Sequence, residues 1–304
     1  SILGKNQLWA THAGYLNDSE EFSLGTRILF EELKTFADEL KEASTTGPHG
    51  LPDFRPDLVY LMLSTFDPNF ERPDAEEAGP YGSPHANLSR DEKLSLTDRV
   101  MNALAPFVSC LTTHPDQLSQ WRGYARGGYC VKFDPEILMS DLKQVYENGD
   151  ELPALLSVPR LHKVRYDAGK FRAEARSTIS AQLSDEFRDN TTGLEQSIFT
   201  VRSLMLFEGA RLKHHKFEEE SEYRILLNSR ETFTSPTVLG FTPRTALSFK
   251  PEAIKEIMVG PSEYTAARRM SLQRYLAFKA SPDGLNAGAP SVEVTVSEIP
   301  YREL

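Results

Sequence analysis

The fold is decided by the stretch FVSCLTTHPDQLSQWRGYARGGYCVKF, residues 107–133, which predicts a strand, a short helix, a turn and a second strand in succession. Its two ends are apolar runs of strand length. Between them Leu118, Trp121 and Ala125 recur at i, i+3 and i+7, the spacing of one buried helix face. The glycine pair 127–128 is typical of a left-handed helix C-cap. Helix and strand so close together indicate a mixed α/β fold.

Outside this stretch, apolar residues recur at helical spacing in some segments and at strand spacing in others. The helices cluster between strands instead of alternating with them, which disfavours a doubly wound parallel sheet. We therefore expect an α/β fold of the α+β type, with a mixed, largely antiparallel central sheet flanked by long helices. The sequence predicts helices over residues 18–46, about 91–105, about 170–189 and about 193–214, and strands over 107–113, 128–134, 157–167, 221–228, 255–260 and 292–299.

The chain has 304 residues, enough to bury a full-sized core, and no internal repeat. We expect a single domain over residues 1–304. Residues 67–90 are rich in Pro, Gly and acidic residues and predict a surface excursion or mobile loop. The chain lacks an initiator Met and starts within a pattern, so we expect further residues, including one strand, upstream of Ser1.

Charge and cysteine content limit the classes of function. A net charge of −10 argues against non-specific nucleic-acid binding as the main activity, although a local basic patch is compatible with it. The two cysteines, Cys110 and Cys130, predict buried thiols in a reducing compartment. No apolar run approaches the roughly 18 residues of a membrane helix, and there is no signal-peptide pattern. We expect a cytoplasmic protein without a membrane partner.

The cations of the central helix have two interpretations. Arg122 and Arg126 lie at i and i+4, where like charges repel by about 0.2–0.5 kcal/mol unless an anion lies between them. The electronegative end of a helix also attracts cations, which explains both arginines without a ligand. Packing alone does not require Tyr124 between them. The helix is thus either a core element with a capped end or one wall of an anion site.

A second candidate is KFEEESEYRILL, residues 216–227. On a strand, Glu220, Glu222 and Arg224 share one face, and Tyr223 and Ile225 lie on the other. One interpretation is a half-buried strand with a solvated ladder of charges. The other is a Glu-x-Glu pair in a cleft, with one carboxylate stabilising a developing sugar cation and the other orienting an acceptor.

Several common motifs are missing from the sequence. His-Glu-x-x-His and Cys-x-x-Cys do not occur, so no metal is expected. The phosphate loop Gly-x-x-x-x-Gly-Lys-[Ser/Thr] and the Gly-x-Ser-x-Gly elbow are also missing. No serine is therefore supported as a nucleophile.

Blocks along nearly the whole chain resemble the bacterial family called domain of unknown function 2971. The specific blocks are Ser-Gln-Trp-x-x-Tyr-Ala at 119–125 and Glu-x-Glu-Tyr-Arg at 220–224. In that family these blocks follow an N-terminal His-Tyr-Thr strand and a short helix. The resemblance implies that such a strand precedes Ser1. The family name implies no activity. The full set of matching blocks is 8–22, 107–133, 163–166, 217–225, 257–261 and 297–302.

The order of these blocks is more distantly similar to that of ADP-ribosyltransferases, which break the nicotinamide–ribose bond of NAD. That resemblance implies an ADP-ribosyltransferase-like fold, with NAD as substrate, Glu222 as catalytic glutamate and Glu220 directing the acceptor. Those enzymes usually have an aliphatic residue at the position of Arg224, which here is placed to pair with Glu222. The implied NAD-binding residues are Ser109 on a supporting strand, Trp121 or Tyr124 against nicotinamide, and Arg122 or Arg126 at the pyrophosphate.

Two functions remain open at this point. The first is a NAD-consuming transferase, a toxin or phage-defence effector, whose acceptor is a protein or a nucleic acid. The second is a non-catalytic interaction or regulatory domain that keeps the fold without the chemistry. A metal-dependent hydrolase built on Glu220 and Glu222 has the least support, because spacing places no further carboxylate beside them. The sequence indicates no oligomeric state.

Overall fold

In the part of the chain that the structure describes, the larger of two sheets has six strands, in the order β4-β5-β2-β1-β7-β6, and every neighbouring pair is antiparallel. The computed structural model describes residues 2–16, 19–46, 60, 63, 105–125, 128–147, 158–186, 203, 205–229, 232–284 and 286–300. The strands of this sheet are β1 (Gln7–His12), β2 (Phe107–Thr112), β4 (Arg160–Lys163), β5 (Glu222–Leu227), β6 (Phe233–Thr237) and β7 (Gly240–Ser248).

The smaller sheet contains, among the described residues, three strands in the order β3-β8-β9. They are β3 (Tyr129–Phe133), β8 (Ile254–Val259) and β9 (Glu293–Val296). The first pair is antiparallel and the second parallel. A parallel pair needs a long crossover, and the helix between β8 and β9 provides it.

The helices lie on both sides of the larger sheet. In chain order they are α1 (Ile2–Lys5), α2 (Ser19–Thr46), α3 (Leu118–Gln120), α4 (Pro135–Glu147), α5 (Ala168–Glu186) and α6 (Thr265–Ala280). Helix α3 continues directly into a π-helical turn, Trp121–Ala125. None of the helices in the described ranges is long and apolar enough to cross a membrane.

Both faces of the larger sheet are covered, which explains why the second half of β5, residues 225–227, is apolar on both faces. Ile225 and Leu227 pack with Leu138 and Leu142 of α4 and with the smaller sheet. Leu226 faces the other way and packs against Phe207. Because side chains alternate across a strand, the two faces of β5 belong to different cores. A third core joins α2 to α5.

The structure confirms the predicted mixed, largely antiparallel α/β architecture and the helices over 18–46 and 170–189. It also confirms the strands predicted over 107–113, 128–134, 221–228, 255–260 and 292–299 within a few residues, and shortens the one predicted over 157–167 to β4. The predicted excursion 67–90 and most of the helix predicted over 91–105 lie outside the described residues, as does half of the helix predicted over 193–214. In the described part of 193–214 the helix ends at residue 209, and Leu212 forms an isolated bridge with Arg165, so the predicted helix is too long at its C-terminal end. The sequence pattern did not predict β1, β6, β7, α4 and α6.

Candidate functional site

The site is built where β5 runs antiparallel to β2. Cys110 is the direct partner of Arg224 in the ladder, and Thr112 is the direct partner of Glu222. Directly opposed residues project to the same side of a sheet, so these four side chains share one face. The strand pairing therefore joins two stretches that lie more than a hundred positions apart in the sequence.

Arg224 and Glu222 form a buried ion pair. Arg224 is 1% exposed and Glu222 is 4% exposed. The guanidinium donates from Nε to Oε1 of Glu222 at 2.8 Å and from Nη2 to Oε2 at 3.2 Å. Its Nη1 donates to the carbonyl oxygen of Ala210 at 2.6 Å. This two-pronged contact is the strong form of an arginine–carboxylate interaction. It confirms the predicted pairing of Arg224 with Glu222.

Lys213 links this pair to the second glutamate. The buried ammonium donates to Oε2 of Glu220 at 2.7 Å and to Oε2 of Glu222 at 3.2 Å. It also lies 4.8 Å from the ring centroid of Phe217, within the range of a cation–π contact. The sequence pattern does not single out Lys213, because a single lysine ahead of two histidines has no spacing that marks it as a partner of the glutamates.

Glu220 does not lie on the strand, which corrects the expectation that Glu220, Glu222 and Arg224 form one ladder. Residues His215–Glu220 form a 3₁₀ turn, and Ser221 ends it with a left-handed φ of 43°. The hydroxyl of Thr112 donates to the backbone carbonyl of Glu220 at 2.7 Å and holds the turn against β2. The Glu220 side chain reaches the cluster through Lys213.

Tyr124 connects the π-helical turn to Glu220, and through Glu220 to the buried charges of Lys213 and Glu222. Its hydroxyl donates to Oε1 of Glu220 at 3.3 Å, while the residue stays 59% exposed. Desolvation and the charge of Glu220 raise the pKa of Tyr124 to about 12, so the phenol keeps its proton at neutral pH. An exposed aromatic ring therefore stands beside a carboxylate at the rim of the cluster.

Cys110 and Tyr166 complete the surroundings of Glu222. Cys110 is exposed, which corrects the prediction of a buried thiol there. Nevertheless the surrounding protein desolvates the thiol and, together with Glu222, raises its pKa. The hydroxyl oxygen of Tyr166 accepts the backbone N–H of Glu222 at 2.8 Å.

The electrostatic balance of Glu222 limits what it can do chemically. Burial disfavours its charged form, but the charges of Arg224 and Lys213 outweigh burial and hold the pKa of Glu222 below its ordinary value. Its oxygens also accept the Cys110 thiol. Glu222 is therefore a permanent, fully hydrogen-bonded anion at neutral pH, suited to orienting its partners and unsuited to taking up a proton.

Those of the other predicted site residues that the structure describes make no hydrogen bond or ion pair with Glu220 or Glu222. Ser109 is the ladder partner of Ile225, so it lies on the opposite face of the sheet from Glu222 and is buried there. Trp121 is 3% exposed, and its indole N–H donates to Asp116 at 2.7 Å. Arg122 is exposed on the π-helical turn. Arg126 lies outside the described residues.

Asp116 connects the helical segment to the chain that follows β9. Its carboxylate accepts the indole of Trp121, the hydroxyl of Ser297 at 2.6 Å and the backbone N–H of Glu298 at 2.9 Å. It thus ties the start of the helical segment to the end of β9. Within the described part of the chain, no group of three or more His, Cys, Asp or Glu side chains is placed to hold a metal ion.

Comparisons with known proteins concern the same segment. Residues 120–225 match the model of a family described as a protein of unknown function (DUF2971). That range begins just before Trp121 and ends just after Arg224, so it contains the block 220–224 and all of the block 119–125 except Ser119. Neither the curated proteins nor the solved structures give a match. The comparisons support the family resemblance over this segment and give no support to the more distant one to ADP-ribosyltransferases.

Proposed function

We propose that the protein is a NAD-consuming transferase of the ADP-ribosyltransferase type, with its substrate at the rim of the charge cluster. We use "charge cluster" for Cys110, Tyr124, Tyr166, Lys213, Glu220, Glu222 and Arg224. The observation that carries the proposal is the contact between the exposed Tyr124 and the Glu220 carboxylate. A flat aromatic surface beside an anion suits a substrate that has an aromatic leaving group and develops positive charge.

The reaction is a glycosyl transfer. The bond between the nicotinamide nitrogen and C1′ of the ribose breaks, and its electron pair leaves with nicotinamide, which departs uncharged. C1′ becomes oxocarbenium-like, and an acceptor lone pair on oxygen or nitrogen forms the new bond and releases its proton to solvent. A carboxylate close to C1′ lowers the energy of this cation-like state.

The geometry favours Glu220 for that contact and Glu222 for positioning. The oxygens of Glu222 already accept hydrogen bonds from Arg224, Lys213 and Cys110, and its side chain is only 5% exposed. The side chain of Glu220 is 14% exposed, and it holds one bond from Lys213 and one longer bond from Tyr124. A carboxylate can accept about four hydrogen bonds, so Glu220 keeps capacity for a substrate hydroxyl. This assignment exchanges the roles that the resemblance implied.

The test is nicotinamide release from NAD by the purified protein and by two glutamine variants of the same turn. Glu220→Gln removes the charge beside Tyr124, so turnover should fall by about 10²-fold or more with little loss of stability. The matched control is Glu219→Gln, because Glu219 is exposed on the same 3₁₀ turn. It should keep full turnover. Equal turnover by the Glu220→Gln variant and wild type would remove Glu220 from the reaction.

The second candidate is a non-catalytic binding or regulatory domain. The observation that favours it is the internal charge balance: two cations, Lys213 and Arg224, face two anions, Glu220 and Glu222. A network that satisfies itself needs no substrate. Under this alternative, wild-type protein neither releases nicotinamide nor gains thermal stability from NAD, while Tyr124→Ala remains folded. Measurable release that depends on Glu220 would exclude it.

A further inference from the structure

A buried lysine without a carboxylate partner among the described residues lies at the end of α6. Lys279 is 6% exposed, and its ammonium donates to the backbone carbonyl of Leu3 and to Oδ1 of Asn6 at 3.3 Å. Both acceptors are uncharged. Within the described ranges, Lys279 makes no ion pair with a carboxylate. The ring centroid of Tyr275 lies 6.0 Å from the ammonium, at the outer limit of a cation–π contact. An ammonium has three N–H donors, and the two acceptors use two of them, so the third has no hydrogen-bond acceptor among the described residues.

This ammonium borders a cavity of about 260 Å³. Most of the wall is apolar, with Ile254 from β8, Leu276 from α6 and Val294 from β9. Its polar side is formed by Asn6 and Asn286, whose amides are bonded to each other at 2.7 Å. A cavity of about 150 Å³ already accepts benzene, so this space suits a small organic molecule. None of its lining residues belongs to the charge cluster.

A buried cation without a counter-ion is unfavourable, because it gives up its hydration and gains no ion pair. Desolvation accordingly lowers the pKa of Lys279. An anion in the cavity would supply the missing charge and use the third N–H. A single cation among apolar walls matches one negative charge, whereas a phosphate dianion would stay under-neutralised.

We propose that this cavity binds a small organic monoanion, a carboxylate with an apolar body, with the carboxylate paired to Lys279 and the body against Ile254, Leu276 and Val294. This site is additional to the proposed transferase site and does not depend on it. The apolar body supplies the hydrophobic part of the affinity, and the ammonium supplies the preference for an anion.

The test measures binding of hexanoate and benzoate to the whole chain by titration calorimetry, with hexanamide as the uncharged counterpart. Saturable binding of at least one carboxylate is expected, at least tenfold tighter than that of hexanamide. Lys279→Met should weaken carboxylate binding at least tenfold, and the exposed Lys170→Met should not. Failure of both carboxylates to bind, or equal binding of hexanamide, would overturn the proposal.

A second variant guards against loss of folding in Lys279→Met. Val292→Phe places a larger side chain at the cavity wall and leaves the lysine intact. It should abolish hexanoate binding while far-UV circular dichroism stays that of the wild type. Unchanged hexanoate affinity in a folded Val292→Phe or Lys279→Met variant would overturn the assignment of this cavity.

Discussion

Arg224 is the largest side chain that is almost fully buried, and its charge is tolerated only because Glu222 and a backbone carbonyl receive it. Two charges taken out of water lose hydration, and their attraction offsets this loss only when geometry is good. The pair therefore adds little net stability. Replacing only one member of the pair lowers stability, because the remaining charge then stays buried without its main partner.

We expect Arg224→Met to lower the free energy of unfolding by about 3–5 kcal/mol, because Glu222 stays buried with only Lys213 as cation. The control is Arg269→Met, since Arg269 is exposed on α6 and the substitution is the same. It should change stability by less than about 0.5 kcal/mol. Urea unfolding measures both. The double variant Glu222→Gln with Arg224→Met should lose less free energy of unfolding than the sum of the losses in the two single variants. A loss equal to that sum would mean that the two residues are not coupled.

Glu222 also predicts a pH dependence of stability. Its pKa in the folded protein lies below the ordinary value of 4.5. A lowered pKa means that the unfolded chain binds more protons than the folded protein. The stabilisation given by ionised Glu222 is therefore fully present above about pH 4.5, and it is lost as the pH falls through the lower pKa of the folded protein. Unfolding free energies measured from pH 7 to pH 3 should show the advantage of wild type over Glu222→Gln shrinking in that acidic range. A constant difference would contradict it.

At the level of elements, the π-helical turn Trp121–Ala125 decides where Tyr124 stands. The turn is anchored by the indole of Trp121, which lies against Gly260 after β8. A Cβ at Gly260 would lie 2.8 Å from Cζ3 of Trp121 and 3.0 Å from the carbonyl oxygen of Gly128. The close approach requires glycine at position 260, because any side chain would push the turn away from the sheet.

Gly260→Ala should therefore destabilise the protein by about 1–3 kcal/mol, the usual cost of overpacking. Gly123→Ala is the matched control, because a Cβ at Gly123 meets nothing within 4 Å and the position is helical. It should be neutral or slightly stabilising. Thermal unfolding compares the two. An equal loss in both variants would show that the Trp121 contact does not anchor the turn.

At the level of the whole molecule, β5 is the strand on which sheet, helices and site depend. It lies between β4 and β2, so its backbone amides are bonded to neighbours on both sides. Its two faces belong to different cores. Among the strands that the structure describes, β6 lies at the edge of the sheet and pairs with β7 alone. Opening β5 therefore requires disruption of both cores.

We expect amides of β5 to exchange with solvent only through global unfolding, and those of β6 through local opening. Hydrogen exchange followed by mass spectrometry should give peptides spanning 222–227 the highest protection and peptides spanning 233–237 a much lower one. Dilute urea should accelerate exchange in β5 with the slope of global unfolding. Similar protection of both strands would contradict the central place of β5.

The sequence by itself determined the class of fold and most of its elements. Long helices such as α2 and apolar strands such as β8 are visible because burial on one face imposes a local period. Short or polar strands were missed, since β6 contains a proline and β1 mixes apolar and polar residues without a clear run. Their strand form depends on pairing partners elsewhere in the chain.

The sequence also identified the two blocks of the site and the pairing of Arg224 with Glu222, because residues two apart on a strand share a face. It did not reveal Lys213, the turn that carries Glu220, or the placement of Ser109 on the opposite face. Those depend on which strands pair, in what register, and on a left-handed residue at Ser221. Local spacing determines local structure, whereas the charge balance of a buried cluster depends on contacts between distant segments, which only the tertiary structure decides.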